Sequence, residues 1–68
     1  MDTIDISGDS IRLGQLLKFA NLIDQGSEAR LVLAEGLVRV NGEMETRRGR
    51  QLVSGDVVAL GGAEVQIA

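Results

Sequence analysis

The change from helix to sheet that decides the fold class lies in the sequence EGLVRVNG, residues 35–42. Gly36 is typical of the residue that ends a helix. After it the apolar period becomes two, because Val38 and Val40 face one way and their neighbours the other. Asn41-Gly42 is a strong hairpin-turn signal. We therefore predict a helix that ends at Gly36, followed by a strand and a hairpin.

Two registers fit this first hairpin. A two-residue loop pairs Val40 with Glu43 and places carboxylates on the buried face, whereas a three-residue loop pairs Val40 with Met44 and sets Arg39 opposite Glu45 on the wet face. We prefer the three-residue loop, because it keeps the carboxylates in solvent. The exact turn type stays open.

Upstream of residue 36 the apolar period is that of a helix, and it predicts two helices. The first follows a cap at Asp9 or Ser10, and the second, Ser27–Glu35, follows a cap at Asp24. The stripe of the first comprises Ile11, Leu13, Leu16, Leu17 and Ala20, and the core face of the second comprises Ala29, Val32 and Leu33. We also assign Phe19, beside the first stripe, to the core.

The two ends of the chain complete the sheet. Thr3–Ser7 alternates like a half-buried strand, and Asp56–Leu60 and Ala63–Ile67 flank a two-residue turn at Gly61-Gly62 that pairs Leu60 with Ala63. The predicted order is β-α-α-β-β-β-β. We expect residues 1–68 to form one α+β domain, with two helices packed on one side of a small, mostly antiparallel sheet.

The composition excludes several classes of function. The chain of 68 residues has no cysteine and no histidine, so the usual soft metal ligands and the thiol and imidazole groups of most nucleophilic catalysts are missing. We expect no enzyme activity, no metal and no cofactor. Its apolar runs are far shorter than the roughly 20 residues that span a bilayer. We expect a soluble, cytoplasmic protein.

Three arginines follow the hairpin in the sequence ETRRGR, residues 45–50. The whole chain has a net charge of −3, so everything outside Arg47, Arg48 and Arg50 carries −6, and positive charge is concentrated at this point. Guanidinium groups form paired hydrogen bonds with phosphate oxygens. We interpret the three arginines as a phosphate-binding cluster on an exposed loop that contributes little to folding; a solvated charged loop is the alternative.

Four motifs, in this order, resemble the S-four RNA-binding domain, whose fold is the αL RNA-binding motif. They are SEAR (27–30), EGLVRVNG (35–42), TRRGR (46–50) and SGDVV (54–58), and the resemblance runs from about residue 11 to residue 60. The leading strand, the arginine-rich loop and the closing hairpin look most like the stand-alone bacterial members. Many members begin the first helix with Arg-Leu-Asp, whereas Gly14 follows Arg12 and Leu13 here.

The resemblance implies that RNA is bound by the second helix and the hairpin after it. The residues at the matching positions are Ser27, Arg30, Arg39, Asn41, Thr46, Arg47, Arg48 and Arg50. Arg39 either binds phosphate or pairs with Glu45 or Glu43, and Asn41 serves the turn first. We read Arg12 and Lys18 as a solvated helix face. With Phe19 in the core, we expect recognition of folded RNA by shape and phosphates rather than by base stacking.

We therefore expect a non-catalytic RNA-binding protein that acts on ribosomal RNA or another structured RNA, in ribosome assembly or ribosome association. We expect a monomer with no DNA and no membrane partner. The alternative is a protein-interaction module whose arginines dock on an acidic partner surface, or an adaptor that delivers RNA to an RNA-processing enzyme.

Overall fold

The computed structural model describes residues 1–68 and contains seven strands and two helices. In chain order these are β1 (Asp2–Ile4), β2 (Ile11–Arg12), α1 (Leu13–Phe19), α2 (Gly26–Ala34), β3 (Val38–Val40), β4 (Glu43–Met44), β5 (Gln51–Leu52), β6 (Val57–Leu60) and β7 (Ala63–Ile67). The predicted α+β class, with two helices and a mostly antiparallel sheet, is confirmed. Neither helix has the length and the apolar run that a bilayer crossing requires.

Five of the strands form one sheet in the order β1-β7-β6-β3-β4. β1 runs parallel to β7, and the other three pairs are antiparallel. The closing hairpin has the predicted register, with Leu60 opposite Ala63 and Val58 opposite Val65. Its parity decides the register, because a shift by one residue would expose the buried Val58.

Apolar side chains from both helices, the five-stranded sheet, β5 and the connection between the helices form one core. The twelve buried members are Leu13, Leu16, Leu17, Ile23, Ala29, Leu33, Val38, Val40, Leu52, Val58, Val65 and Ile67. The predicted faces of α2 and β3 are confirmed, with Val32 half-buried against this core. The first strand ends at Ile4 rather than at Ser7, although Ile4 and Ile6 both pack on the core as the alternation predicted.

The preferred register of the first hairpin was wrong. The loop has two residues, Asn41 (φ 53°) and Gly42 (φ 87°), and Val40 lies opposite Glu43. We rejected this register because it places carboxylates on the buried side. The structure resolves that conflict in two ways: Glu43 stays exposed in a two-residue strand, and Glu45 is buried but fully hydrogen-bonded.

The start of the first helix also differs from the prediction. Ile11 and Arg12 are extended and pair with Leu52 and Gln51, so β2 and β5 form a separate two-stranded ribbon. The helix therefore begins at Leu13, and neither Asp9 nor Ser10 caps it. Two-residue strands are too short to show a period, which explains why the sequence pattern did not reveal them.

Both helices end in the same kind of hydrogen-bonded turn. After α2, Gly36 (φ 72°) donates to the Leu33 carbonyl and Leu37 donates to the Val32 carbonyl, which is the Schellman arrangement. Gly36 ends the helix as predicted. A side chain there would also approach the sulfur of Met44 to 2.7 Å. At the other end of α2 the cap is Gln25 rather than Asp24, and the Glu28 carboxylate accepts the N–H groups of both.

Candidate nucleic-acid interface

The segment Thr46–Arg50, which we call the arginine loop, is organised around one buried carboxylate. Glu45 is only 7% exposed, and it is the one charged residue among the buried ones. Its Oε1 accepts hydrogen bonds from Arg47 Nη2 and Arg50 Nη1, each at 3.0 Å. Its Oε2 accepts from Arg47 Nε at 3.1 Å and from the backbone N–H groups of Thr46 and Arg47 at 3.0 Å. Both oxygens are therefore saturated.

These bonds stabilise the charged form of the carboxyl group. The pKa of Glu45 is lowered from 4.5 to about 2, first by the side-chain hydrogen bonds of Arg47 and then by the backbone N–H of Arg47, against the opposing effect of burial. In return the pKa of Arg47 is raised by the same carboxylate. Ion pairs with the charged Glu45 carboxylate therefore hold both Arg47 and Arg50 in place.

Two of the three arginines are bound to a carboxylate, which the sequence did not indicate. The side chain of Arg47 is 74% exposed, but that of Arg50 is only 31% exposed, and both are bound to Glu45. Residues 46–49 are exposed as expected, but the bonds to Glu45 correct the expectation that the loop contributes little to folding. Removing both partners would leave a buried carboxylate without its cations, which is costly in folded proteins.

The loop backbone is also attached to the start of α1. Leu13 donates its N–H to the Arg50 carbonyl at 2.8 Å, and Gly14 donates to the Arg48 carbonyl at 3.0 Å. The β2–β5 ribbon continues this attachment. Backbone and side-chain bonds together therefore give the arginine loop one defined position beside α1.

Gly14 makes room for the side chain of Arg48. A Cβ at position 14 would lie 2.7 Å from Arg48 Cγ and 3.2 Å from Nε, so any side chain there would displace the arginine. Arg48 forms no ion pair. The missing side chain at position 14 thus lets the unpaired guanidinium group of Arg48 lie across the first turn of α1.

A shallow groove of about 1290 Å³ runs along this contact. It is lined by thirteen residues, which include Arg12, Gly14, Gln15, Lys18, Phe19 and Arg48. Three of the lining residues are cations and only Asp5 is acidic. The groove is therefore positive in a chain whose net charge is −3.

The family follows from comparison with known proteins. The family model described as "S4 domain" matches residues 4–68, nearly the whole chain. The chain belongs to the S4 domain family. The resemblance carried by the four motifs is thereby confirmed.

Two relatives match this S4 domain over most of their length. The "Probable ribosome maturation protein RlbA" of Bacillus subtilis is 48% identical over 59 residues, which are 87% of this chain and 83% of that protein. The solution structure of YbcJ from Escherichia coli, described as an αL motif involved in RNA binding, has a TM-score of 0.75 and 33% identity, and the match covers 100% of this chain and 87% of YbcJ.

A ribosomal protein has the same fold as this S4 domain. The 30S ribosomal protein S4e from Thermoplasma acidophilum has a TM-score of 0.71 and 27% identity. The match covers 85% of this chain and 31% of that protein. The fold thus occurs both as a small protein and as a part of a larger one.

Of the eight sequence-predicted RNA-binding residues of this S4 domain, one lines the groove. Arg48 lies in the groove, whereas Arg39 and Asn41 lie on the β3–β4 hairpin and do not line it. Ser27 and Arg30 are exposed on α2, and Ser27 follows the groove residue Gly26. Thr46 is exposed in the arginine loop.

Arg39 is not paired with a carboxylate. It lies opposite Met44 in the hairpin rather than opposite Glu45, and its Nη1 makes one long hydrogen bond, 3.4 Å, to the Gly42 carbonyl. It forms no ion pair with Glu43 or Glu45. Of its two predicted states, the cross-strand pair is therefore wrong, and its guanidinium group is exposed.

Asn41 holds the hairpin turn against the neighbouring strand. Its Nδ2 donates to Asp56 Oδ1 at 3.0 Å, and its Oδ1 accepts the Val57 N–H at 2.9 Å. The second oxygen of Asp56 accepts the Val53 N–H at 2.9 Å, and the bonds from Val53 and Asn41 lower the pKa of Asp56. The structural role that we assigned first to Asn41 is the one that its amide performs.

Three groove residues were not assigned to the site by the sequence patterns. Phe19 was predicted to be in the core but is 55% exposed, which is a correction. Arg12 and Lys18 were read as a solvated face, yet both line the groove. A signal was available, because Gln15, Lys18 and Phe19 have the i, i+3, i+4 spacing of one helix face.

The pKa of Glu45 predicts how stability depends on pH. Because the folded-state pKa lies below the unfolded value, the contribution of Glu45 is fully present above pH 4.5 and is lost as the pH falls through about 2. Thermal unfolding between pH 7 and pH 2 should therefore be less steeply pH-dependent in Glu45→Gln than in the wild type. Glu43→Gln, which changes an exposed and unpaired neighbour, is the control. Equal steepness in the wild type and Glu45→Gln would contradict this role of Glu45.

Proposed function

We propose that this S4 domain binds structured RNA, with ribosomal RNA as its target, and acts without catalysis in ribosome assembly or ribosome association in the cytoplasm. The proposed contacts are made by the arginine loop and by exposed side chains on α2 and β3. They are Ser27, Arg30, Arg39, Thr46, Arg47, Arg48 and Arg50, with Asn41 positioning the hairpin turn.

The arrangement of the arginine loop around Glu45 is the observation that carries the proposal. A guanidinium group has five N–H donors. Glu45 takes two of those of Arg47, so three remain for a ligand. One carboxylate neutralises one of three positive charges, and the loop therefore keeps a net charge of +2. Rigid, partly satisfied guanidinium groups bind phosphate with less loss of conformational entropy than mobile ones.

The composition of the surface favours folded RNA as the ligand. Phosphate oxygens are the chemical match for forked guanidinium donors and for the hydroxyls of Ser27 and Thr46. The relatives support the same class of ligand: YbcJ is described as having a motif involved in RNA binding, and RlbA is named for ribosome maturation. A small domain with this surface is suited to recognise the shape and the phosphate backbone of an RNA.

A variant that removes the cations without leaving a buried charge is needed to test this. We define the loop variant as Glu45→Gln, Arg47→Ala, Arg48→Ala and Arg50→Ala. The amide carbonyl introduced by Glu45→Gln can still accept the N–H groups that Glu45 Oε2 accepts now. The variant lowers the net charge by two. A charge control with the same change is Ala63→Glu with Ala68→Glu, two exposed positions outside the loop and the groove.

The test is ultraviolet crosslinking in cells, followed by sequencing of the recovered RNA. We expect the wild type and the charge control to recover a defined ribosomal segment and the loop variant to lose it, because phosphate contacts carry most of the affinity. Recovery of a structured RNA outside the ribosome would overturn the ribosomal target only. Equal background from the wild type and the loop variant would overturn RNA binding and favour an acidic protein as the partner of the arginines.

A further inference from the structure

Phe19 is an unusual surface residue in this chain. It is the only aromatic residue, and it stands 55% exposed at the end of α1. A single aromatic ring at the wall of a polar groove is a surface on which a flat ligand can stack. The ring is free to do so, because it lines the groove instead of the core.

The cations beside Phe19 have no carboxylate partners. The chain has ten acidic and seven basic residues, so acids are in excess. Nevertheless Arg12, Lys18 and Arg48 form no ion pair, and all three line the groove together with Phe19. Unpaired like charges gathered in one concave site are repulsive in the free protein, and an anionic ligand would relieve that repulsion.

The size of the groove and its opening to solvent indicate whether it fits a small anion or an anionic polymer. At about 1290 Å³ it is larger than the roughly 300–1,000 Å³ of pockets that enclose one drug-sized ligand, and it is open to solvent. Such a groove fits a short piece of a polymer better than one small molecule. A polymer that alternates an anion with a flat apolar surface matches both the cations and the ring, and single-stranded nucleic acid has that alternation.

We propose that this groove binds unpaired nucleotides of the RNA, with one base stacked on Phe19 and the neighbouring phosphates held by Arg12, Lys18 and Arg48. The inference rests on the proposed function and adds to it a subsite and a preference. In this arrangement the arginine loop binds the paired part of the RNA, and the groove binds a bulge or a loop next to that paired part. Gly14 belongs to the subsite, because its missing side chain lets Arg48 reach across α1.

Phe19 provides its own spectroscopic probe, since no other residue of the chain is aromatic. In protein labelled with ¹³C only in phenylalanine, every labelled ring signal belongs to Phe19. We would add an RNA hairpin with a three-adenosine bulge or the same hairpin fully paired. Stacking places the ring in the shielding region of a base, so the expected result is an upfield shift of the ring protons with the bulged hairpin only.

Affinities of the same two hairpins give the second readout. Base–aromatic stacking is worth roughly 5- to 140-fold in affinity, so Phe19→Ala should weaken binding of the bulged hairpin by that factor and leave the affinity for the paired hairpin unchanged. Phe19→Tyr should keep the wild-type affinity for the bulged hairpin. Phe19→Leu should not, because leucine keeps apolar bulk without a ring face. Leu37→Ala, another exposed apolar side chain outside the groove, is the control.

The outcomes separate this inference from the proposed function. If the bulged hairpin binds the wild type and Phe19→Ala equally well, with the ring signals unmoved, the nucleotide subsite is overturned and RNA binding by the arginine loop stands. If neither hairpin binds the wild type, both are overturned. Gly14→Ala places a Cβ 2.7 Å from Arg48 Cγ and displaces Arg48 without changing the charge. Selective weakening of the bulged hairpin would support the assignment of Arg48 to the subsite, and equal weakening of both hairpins would assign it to the arginine loop alone.

Discussion

Leu33→Ala is expected to lower the free energy of unfolding by about 2–5 kcal/mol. Leu33 lies on α2, is 2% exposed, and belongs to the core that joins the helices to the sheet. Removing three buried carbon atoms loses their transfer free energy and leaves a cavity that a well-packed interior fills only in part. Domains of this size have little stability to lose, so the variant should be largely unfolded at physiological temperature.

The same helix offers the matched control for this prediction. Leu31 is 59% exposed, and Leu31→Ala removes the same atoms from solvent contact rather than from the core. Its effect on the free energy of unfolding should stay within about 0.5 kcal/mol. Urea unfolding followed by circular dichroism gives both values. Equal losses in the two variants would mean that α2 does not pack on the sheet with the face described above.

The loop variant is expected to bind structured RNA about 100-fold more weakly than the wild type, or worse. Hydrogen bonds to charged groups contribute roughly 1.5–3 kcal/mol each, and the variant removes three guanidinium groups at once. Arg48 should contribute the most of the three, because it alone forms no ion pair with a carboxylate in the free protein. Equilibrium titration of a labelled RNA hairpin at low salt measures the loss.

Stability has to be measured beside affinity in this variant. Alanine at positions 47 and 50 alone would leave the Glu45 carboxylate buried without its cations, and an unfolded fraction would imitate a loss of binding. The additional Glu45→Gln removes that charge. An unchanged fold with lost affinity is the expected result. A variant that stays folded and binds RNA as tightly as the wild type would show that the arginine loop is not the contact surface.

The sequence was sufficient for those parts of the fold where one face of an element is buried. The closing hairpin was predicted with its register, because Val58 and Val65 must both face the core. The end of α2 was predicted because a glycine is suited to the positive φ that its final turn requires. In both places a local residue preference and the burial pattern agree.

The register of the first hairpin was mispredicted for a specific physical reason. We assumed that a carboxylate cannot lie on the buried side of the sheet. Glu45 does so because the chain folds back and brings Arg47 and Arg50 onto its two oxygens. The pattern of apolar residues does not show that a buried carboxylate is paired with arginines. The spacing of one acid two and five residues before two arginines was the signal for it.

The prediction that Phe19 lies in the core was wrong because α1 is short and its apolar face is narrow. At 100° per residue, Phe19 lies roughly 110° from the middle of the face formed by Leu13, Leu16 and Leu17. It therefore belongs to the opposite face with Gln15 and Lys18. The groove itself could not be predicted, since it arises from the contact between α1 and a loop far later in the chain.

The salt dependence of RNA binding, measured side by side for the wild type and the loop variant, tests the central claim most directly. Each phosphate that the protein neutralises adds about 0.7–0.9 to the slope of log affinity against log salt concentration. If the three arginines contact three phosphates, the slope of the loop variant should be smaller by about 2 to 3, while the charge control keeps the wild-type slope. Equal slopes for the wild type and the loop variant would contradict the account, because the arginines would then contact no phosphate.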